Sequence, residues 1–216
     1  MPEQLIKTSP QLQTNDCYSA GEREWMESTQ NWRAEWLSPF FRFLTNSGVT
    51  ADHITCSSFL IGMTFLPLWL LVNPLAALTA LAAHVFLDGI DGGLARYQGT
   101  ASGRGSFIDS VTDQCVFTGV MLTMMLTGLI SIGAGTVLIF VYCLVVAFAM
   151  VRNALGRPYS WLIRPRFYIY GWIVLELAYL QGTLELLCWL AVSILVYKAI
   201  TGFRAICRHL STSAEL

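Results

Sequence analysis

Residues 88–113 read DGIDGGLARYQGTASGRGSFIDSVTD and hold four of the chain's six aspartates, together with two arginines and six glycines. The chain is greasy on both sides, with LAALTALAAHVFL at 75–87 and CVFTGVMLTMML at 115–126. Of the 216 residues, 55% are hydrophobic and 12% charged, and the mean hydropathy is +0.55. A soluble globular domain carries about 25% charged residues, so half that share excludes an ordinary water-facing surface. The acidic segment therefore reads as the polar junction between two membrane helices.

Working outward, the apolar runs are 54–72, 75–87, 107–132, 137–151, 167–180 and 184–200. A spanning helix needs about 20 mainly apolar residues, and the short run at 75–87 is expected to continue through DGIDGGLAR. Turn chemistry falls at Asn73-Pro74, Gly133-Ala134-Gly135 and Gln181-Gly182-Thr183. The pattern predicts an all-α integral membrane bundle of six transmembrane helices. Pro67 predicts a kink in the first of them.

Charge sorts by side. Lys7, Arg23, Arg33 and Arg42 precede helix 1, while Arg96 and Arg104 lie between helices 2 and 3. Arg152, Arg157, Arg164 and Arg166 lie between helices 4 and 5, and Lys198, Arg204 and Arg208 are at or beyond the end of helix 6. The loops after helices 1, 3 and 5 carry no Lys or Arg. Basic residues concentrate on the cytoplasmic side, which predicts both termini and the acidic segment inside.

Residues 22–46 place Trp25, Trp32, Trp36, Phe40 and Phe43 at three- and four-residue steps among charges. This predicts an amphipathic interfacial helix, broken or kinked near Ser38-Pro39, with its rings at headgroup depth. It is a membrane anchor or a collar around a site at the same depth. The expected organisation is a polar tail (1–21), the juxtamembrane helix (22–46), a transmembrane catalytic domain (47–206) and a cytoplasmic tail (207–216). The polar first twenty residues lack the core of a cleavable signal. Cys17, Cys56, Cys115, Cys143, Cys188 and Cys207 are far apart, which predicts reduced thiols rather than disulfides or a zinc site. A net charge of −1 gives no reason to expect a nucleic-acid partner.

Asp88 and Asp91 are three residues apart and Asp109 and Asp113 four, so each pair shares a helix face. An ionisable group at membrane depth costs about 2.5–3.5 kcal/mol or more, so four carboxylates there require cations. Oxygen ligands without interleaved histidine or cysteine suit Mg2+ or Mn2+, and two pairs suit two ions acting on a phosphate. Arg96 adds a planar donor fork for phosphate or pyrophosphate. The residues alone point to metal-dependent chemistry on a phosphorylated substrate at the inner membrane face.

Read with its spacing, the segment is Asp88-x-x-Asp91-Gly92-x-x-Ala95-Arg96, then eight residues, Gly105, three residues, Asp109, three residues, Asp113. This resembles the signature of the CDP-alcohol phosphotransferase family. Gly48-Val49-Thr50-Ala51-Asp52-His53-Ile54-Thr55 resembles that family's loop into helix 1, with Ala51 replacing the usual proline. The resemblance implies transfer of a phosphatidyl group from CDP-diacylglycerol to a small polar alcohol, with release of CMP. It implies that Asp88, Asp91, Asp109 and Asp113 bind Mg2+ or Mn2+, and that Asp113 is also the general base. Asp52, Thr55, Gly92, Ala95, Arg96, Ser102 and Gly105 would hold the CDP part. It is compatible with a homodimer, and small size with a bacterial inner membrane.

Arg152, Arg157, Arg164 and Arg166 border the same opening and suggest a phosphorylated acceptor, glycerol 3-phosphate or inositol phosphate. Alternatively they only obey the positive-inside rule, and serine or another uncharged alcohol is accepted. A reading of another class is a non-catalytic membrane metal carrier. Four further points stay open. His84 assists the site or is a buried, hydrogen-bonded histidine. His53, a lone loop histidine beside Asp52, has no assigned role. Glu176 lines the acceptor pocket or ties helices together. Met121, Met124 and Met125 pack helices or form a dimer face.

Overall fold

Helix boundaries follow capping chemistry closely along this chain. The structure is a computed structural model and describes Ser19, Gly21 and residues 36–213. Its helices are α1 (residues 36–46), α2 (Ala51–Met63), α3 (Phe65–Leu71), α4 (Pro74–Tyr97), α5 (Gly103–Leu126), α6 (Ile132–Ala154), α7 (Pro165–Ala178) and α8 (Leu184–Ser213). There is no strand among the described residues. The chain is all-helical.

Thr50 begins α2 with a capping box: its Oγ1 accepts from the His53 amide, and its own amide donates to His53 Nδ1, both at 3.3 Å. That is the role of His53. Ala51 stands at the first helical position, where proline fits without losing a hydrogen bond, so the box replaces the rigidity a proline would give. Asn73 caps α4 ahead of Pro74 at its first position, as the sequence predicts. From there α4 runs unbroken through DGIDGGLAR to Tyr97.

Two boundaries differ from expectation. The break in the first rod is at Thr64 rather than at Pro67. Proline cannot donate to the carbonyl four residues back and its ring clashes there, so the helix stops at Met63. The second difference is that the turn between α5 and α6 is made by Gly128 (φ +72°) and the Ser131 cap, not by Gly133–Gly135. Those glycines lie inside α6, where a Cβ at Gly135 would collide with Met125, so Gly135 serves packing. Residues 36–46 are helical with Pro39 among them, and the carbonyl that Pro39 leaves without a donor belongs to residue 35, so the expected break or kink near Ser38-Pro39 lies at the edge of the described residues. The expectations for Trp25 and Trp32 lie outside the described residues.

The α2–α3 rod packs on α4 and α5, α5 on α6, α6 on α8, and α7 on α8. At the α2–α4–α5 crossing, a Cβ on Gly62 would lie 2.7 Å from Val116 and 3.1 Å from His84. Close approach through small residues is how helices associate in lipid. Phe117, Met121 and Met124 are fully buried in the core, so these two methionines pack helices within one chain. Rods Ala51–Leu71, Pro74–Tyr97, Ile132–Ala154 and Leu184–Ser211 are long and apolar enough to cross a membrane. The first half of α5 is polar and α7 has only 14 residues, and neither meets that measure.

Glu176 ties helices together. Buried at the end of α7, it accepts from the amides of Gly182, Thr183 (3.1 Å) and Leu184 (2.8 Å) and from Thr183 Oγ1 (3.2 Å). It thereby satisfies donors that the start of α8 leaves without partners. Removing a charged acceptor from several buried donors costs about 3 kcal/mol. Glu176→Ala is therefore expected to lower the unfolding temperature in detergent by roughly 5–10 °C, and Glu176→Gln by less. An unchanged unfolding temperature for Glu176→Ala refutes the tie.

Candidate active site

The end of α4, the start of α5, the start of α2 and the start of α7 converge on a cavity of about 620 Å³. Gly99 (φ +68°) stops α4, and Ser102 caps α5 by accepting from the Gly105 amide at 3.2 Å. That tight connection brings the two acidic helix faces together. Asp88, Asp109 and Asp113 each place a carboxylate oxygen within 4.8 Å of the others.

Arg166, 5% exposed, enters this cluster from α7. Its Nη2 is 3.2 Å from Asp88 Oδ2, and its Nη1 pairs with Asp113 Oδ2. Carboxylates buried this deeply require positive charge, and Arg166 supplies it from within the protein. Asp109 Oδ1 and Asp113 Oδ1 are buried without a hydrogen-bond partner among the described residues. Two unpartnered carboxylate oxygens, gathered with Asp88, fit a hard divalent ion.

Asp91 stands apart from those three. Its Oδ2 accepts from Thr55 Oγ1 and its Oδ1 from the Gly92 amide, both at 2.6 Å. Thr55 thus fixes a carboxylate as well as lining the cavity.

The residues expected to hold the CDP part, Asp52, Thr55, Gly92, Ala95, Arg96, Ser102 and Gly105, all line the cavity. A Cβ on Gly92 would be 3.6 Å from Arg96 Nη1, so the guanidinium lies over bare backbone. Thr50, Gly93, Arg104 and Ser106 line the cavity too, beyond the residues expected to hold the CDP part.

The four arginines of 152–166 separate. Arg164 and Arg166 line the cavity. Arg152 instead donates from Nε to the Arg157 carbonyl (2.9 Å) and from Nη2 to the Pro158 carbonyl (3.2 Å), and stacks 4.0 Å from the Tyr159 ring. Arg157 is exposed and does not line the cavity. Tyr159 donates to the Lys198 carbonyl at 3.0 Å, Lys198 to the Trp161 carbonyl at 3.0 Å, and the Gly21 amide to Ser160 at 3.1 Å. Burial pushes the Tyr159 phenol above its ordinary range, partly opposed by Arg152. The loop is therefore held from three sides before it delivers Arg164. His84 is hydrogen-bonded and buried: its Nδ1 is 2.8 Å from Ser58 Oγ, and Ser58 Oγ donates to the His84 carbonyl.

Comparison with known proteins agrees with this geometry. The family model described as CDP-alcohol phosphatidyltransferase matches residues 48–162, which contain every aspartate of the cluster. The chain is similar to an archaetidylinositol phosphate synthase of Aeropyrum pernix, 36% identical over 72 residues (33% of this chain, 37% of the relative). It is similar to the protein of that name from Pyrococcus horikoshii, 34% identical over 87 residues (40% and 46%). It is also similar to a CDP-diacylglycerol–serine O-phosphatidyltransferase of Mycobacterium leprae, 32% identical over 114 residues (51% and 38%). The matched stretches span less than half the length of each relative.

Proposed function

Because the chain belongs to the CDP-alcohol phosphatidyltransferase family, we propose that it transfers a phosphatidyl group from CDP-diacylglycerol to a small polar alcohol, releasing CMP. The observation that carries this reading is one cavity lined by Asp88, Asp91 and Asp109, with Asp113 buried against Asp88 and Asp109 just behind the wall, and by Arg96 over Gly92. A metal carrier needs the carboxylates and has no use for Arg96.

In this reading Gly92 and Arg96 hold the pyrophosphate, and Ser102 and Gly105 bound the nucleotide at the start of α5. Asp88, Asp109 and Asp113, with Asp91 beside them, hold Mg2+ or Mn2+, two ions being our expectation. Bound there, the metal supplies positive charge against the pyrophosphate and the departing CMP. Asp113 takes the proton from the acceptor hydroxyl as its oxygen attacks the phosphatidyl phosphorus and the bond to CMP breaks. Arg164 and Arg166, which line the cavity opposite α4, favour an acceptor that carries a phosphate. The names of the two archaeal relatives support inositol phosphate, and glycerol 3-phosphate has the same chemistry. Serine is the second reading, supported by the name of the mycobacterial relative. All six rods are read as spanning, in the order the basic residues dictate, with residues 47–206 as the catalytic unit. The site then faces the cytoplasm from a bacterial inner membrane.

The test is CMP release from CDP-diacylglycerol by purified protein across inositol phosphate, glycerol 3-phosphate and serine. Release is expected only with a divalent ion, to stop with EDTA and to be fastest with a phosphorylated acceptor. No release with any acceptor in Mg2+ or Mn2+ overturns the reading.

A further inference from the structure

The acidic signature leaves position 93 open, yet this chain puts glycine there, and the reason lies outside the cavity. A Cβ at Gly93 would be 2.8 Å from Phe41 Cζ and 3.3 Å from Cε2. Phe41 reaches that notch from α1 and is 3% exposed. Ile90 and Leu94 of α4 are buried with it, and Leu37, Leu44 and Ile54 pack around them, apart from the main core. The Phe41 ring is 5.8 Å from that of Tyr97. Gln98 Nε2 adds two bonds to the α1–α2 end, to the Val49 carbonyl (2.8 Å) and Thr45 Oγ1 (3.2 Å).

The other side of the same α4 turn is the cavity wall, formed by Asp91, Gly92, Gly93 and Arg96. Gly89, Gly92 and Gly93 each weaken a helix by about 1 kcal/mol relative to alanine, so this stretch of α4 is the part least able to hold its own shape. Phe41 and its neighbours press on it from behind. On the function proposed above, we propose that Phe41 is a positioning residue for the nucleotide-lipid subsite. Its ring, keyed into Gly93, sets where the Gly92–Gly93 backbone and Arg96 stand.

A double-mutant cycle tests this, because the two residues are coupled only if the ring and the missing side chain share one space. Gly93→Ala is expected to raise the KM for CDP-diacylglycerol about tenfold while kcat changes by less than about threefold. The KM for the polar acceptor should not move. Adding Phe41→Leu, which shortens the knob, is expected to bring the donor KM back to within about threefold of wild type. If Gly93→Ala alone does not fold, the double variant decides: folded and active, it supports the notch, and unfolded, it overturns it. Additive effects, or a loss of stability with an unchanged donor KM, overturn the inference while an active wild type leaves the functional reading intact. A wild type that releases no CMP overturns both.

Discussion

Asp113→Asn is expected to reduce CMP release by at least about a thousandfold, the upper part of the range for losing a positioned general base. Asparagine keeps the size of the side chain and can still face Arg166, but it cannot accept the acceptor's proton. It also removes one of the three carboxylates gathered within 4.8 Å. The loss should fall on kcat more than on the KM for CDP-diacylglycerol, because the residues proposed to hold the CDP part, Gly92, Arg96, Ser102 and Gly105, are all kept. Unfolding temperatures measured on the same preparations separate chemistry from collapse. A variant that keeps a tenth of wild-type turnover means that another group accepts the proton.

Arg166→Gln is expected to produce the largest change in stability, and one that depends on the metal. Side-chain exposures are 6% for Arg166, 12% for Asp88 and 5% for Asp113. Breaking a buried pair by removing one partner costs about 3–5 kcal/mol, because the remaining charge has no compensation. In EDTA the unfolding temperature should therefore drop by about 10 °C. Mg2+ or Mn2+ should recover much of that loss, since a cation at the cluster again balances the carboxylates. Arg166→Lys should lie between, because an ammonium cannot fork to two carboxylates. Wild-type stability of Arg166→Gln in EDTA would show that the pairing contributes nothing.

The sequence carried the all-helical membrane character because lipid imposes a simple rule on it: long apolar runs, four of which become helices long and apolar enough to span. It also carried the gathering of Asp88, Asp109 and Asp113, since their spacing is local to two helices, but not the separate setting of Asp91, which Thr55 and the Gly92 amide hold apart. It was less informative where the deciding contact was tertiary. Gly133 and Gly135 have the composition of a turn, but Met125 occupies the space over Gly135 and keeps it in α6. Arg152 and Arg166 look alike in sequence, yet one is taken up by carbonyls of its own loop and the other crosses to Asp88, 78 residues away. Glu176 left two readings open until the amides of 182–184 were seen to surround it. For Phe41 a signal was present: Leu37, Phe41 and Leu44 recur at four- and three-residue steps, an inner stripe beside the outer Trp36, Phe40 and Phe43.

The long-range pairing of Arg166 within the chain also has a consequence for the order of synthesis. Asp88, Asp109 and Asp113 are translated before their guanidinium partner exists, so the nascent α4–α5 hairpin reaches the translocon with its acid uncompensated by any protein cation of the cluster. Its carboxylates lie in the more polar half of each helix, the second half of α4 and the first half of α5. Neutralisation from within the protein waits until α7 has been made and Arg166 reaches Asp88 and Asp113.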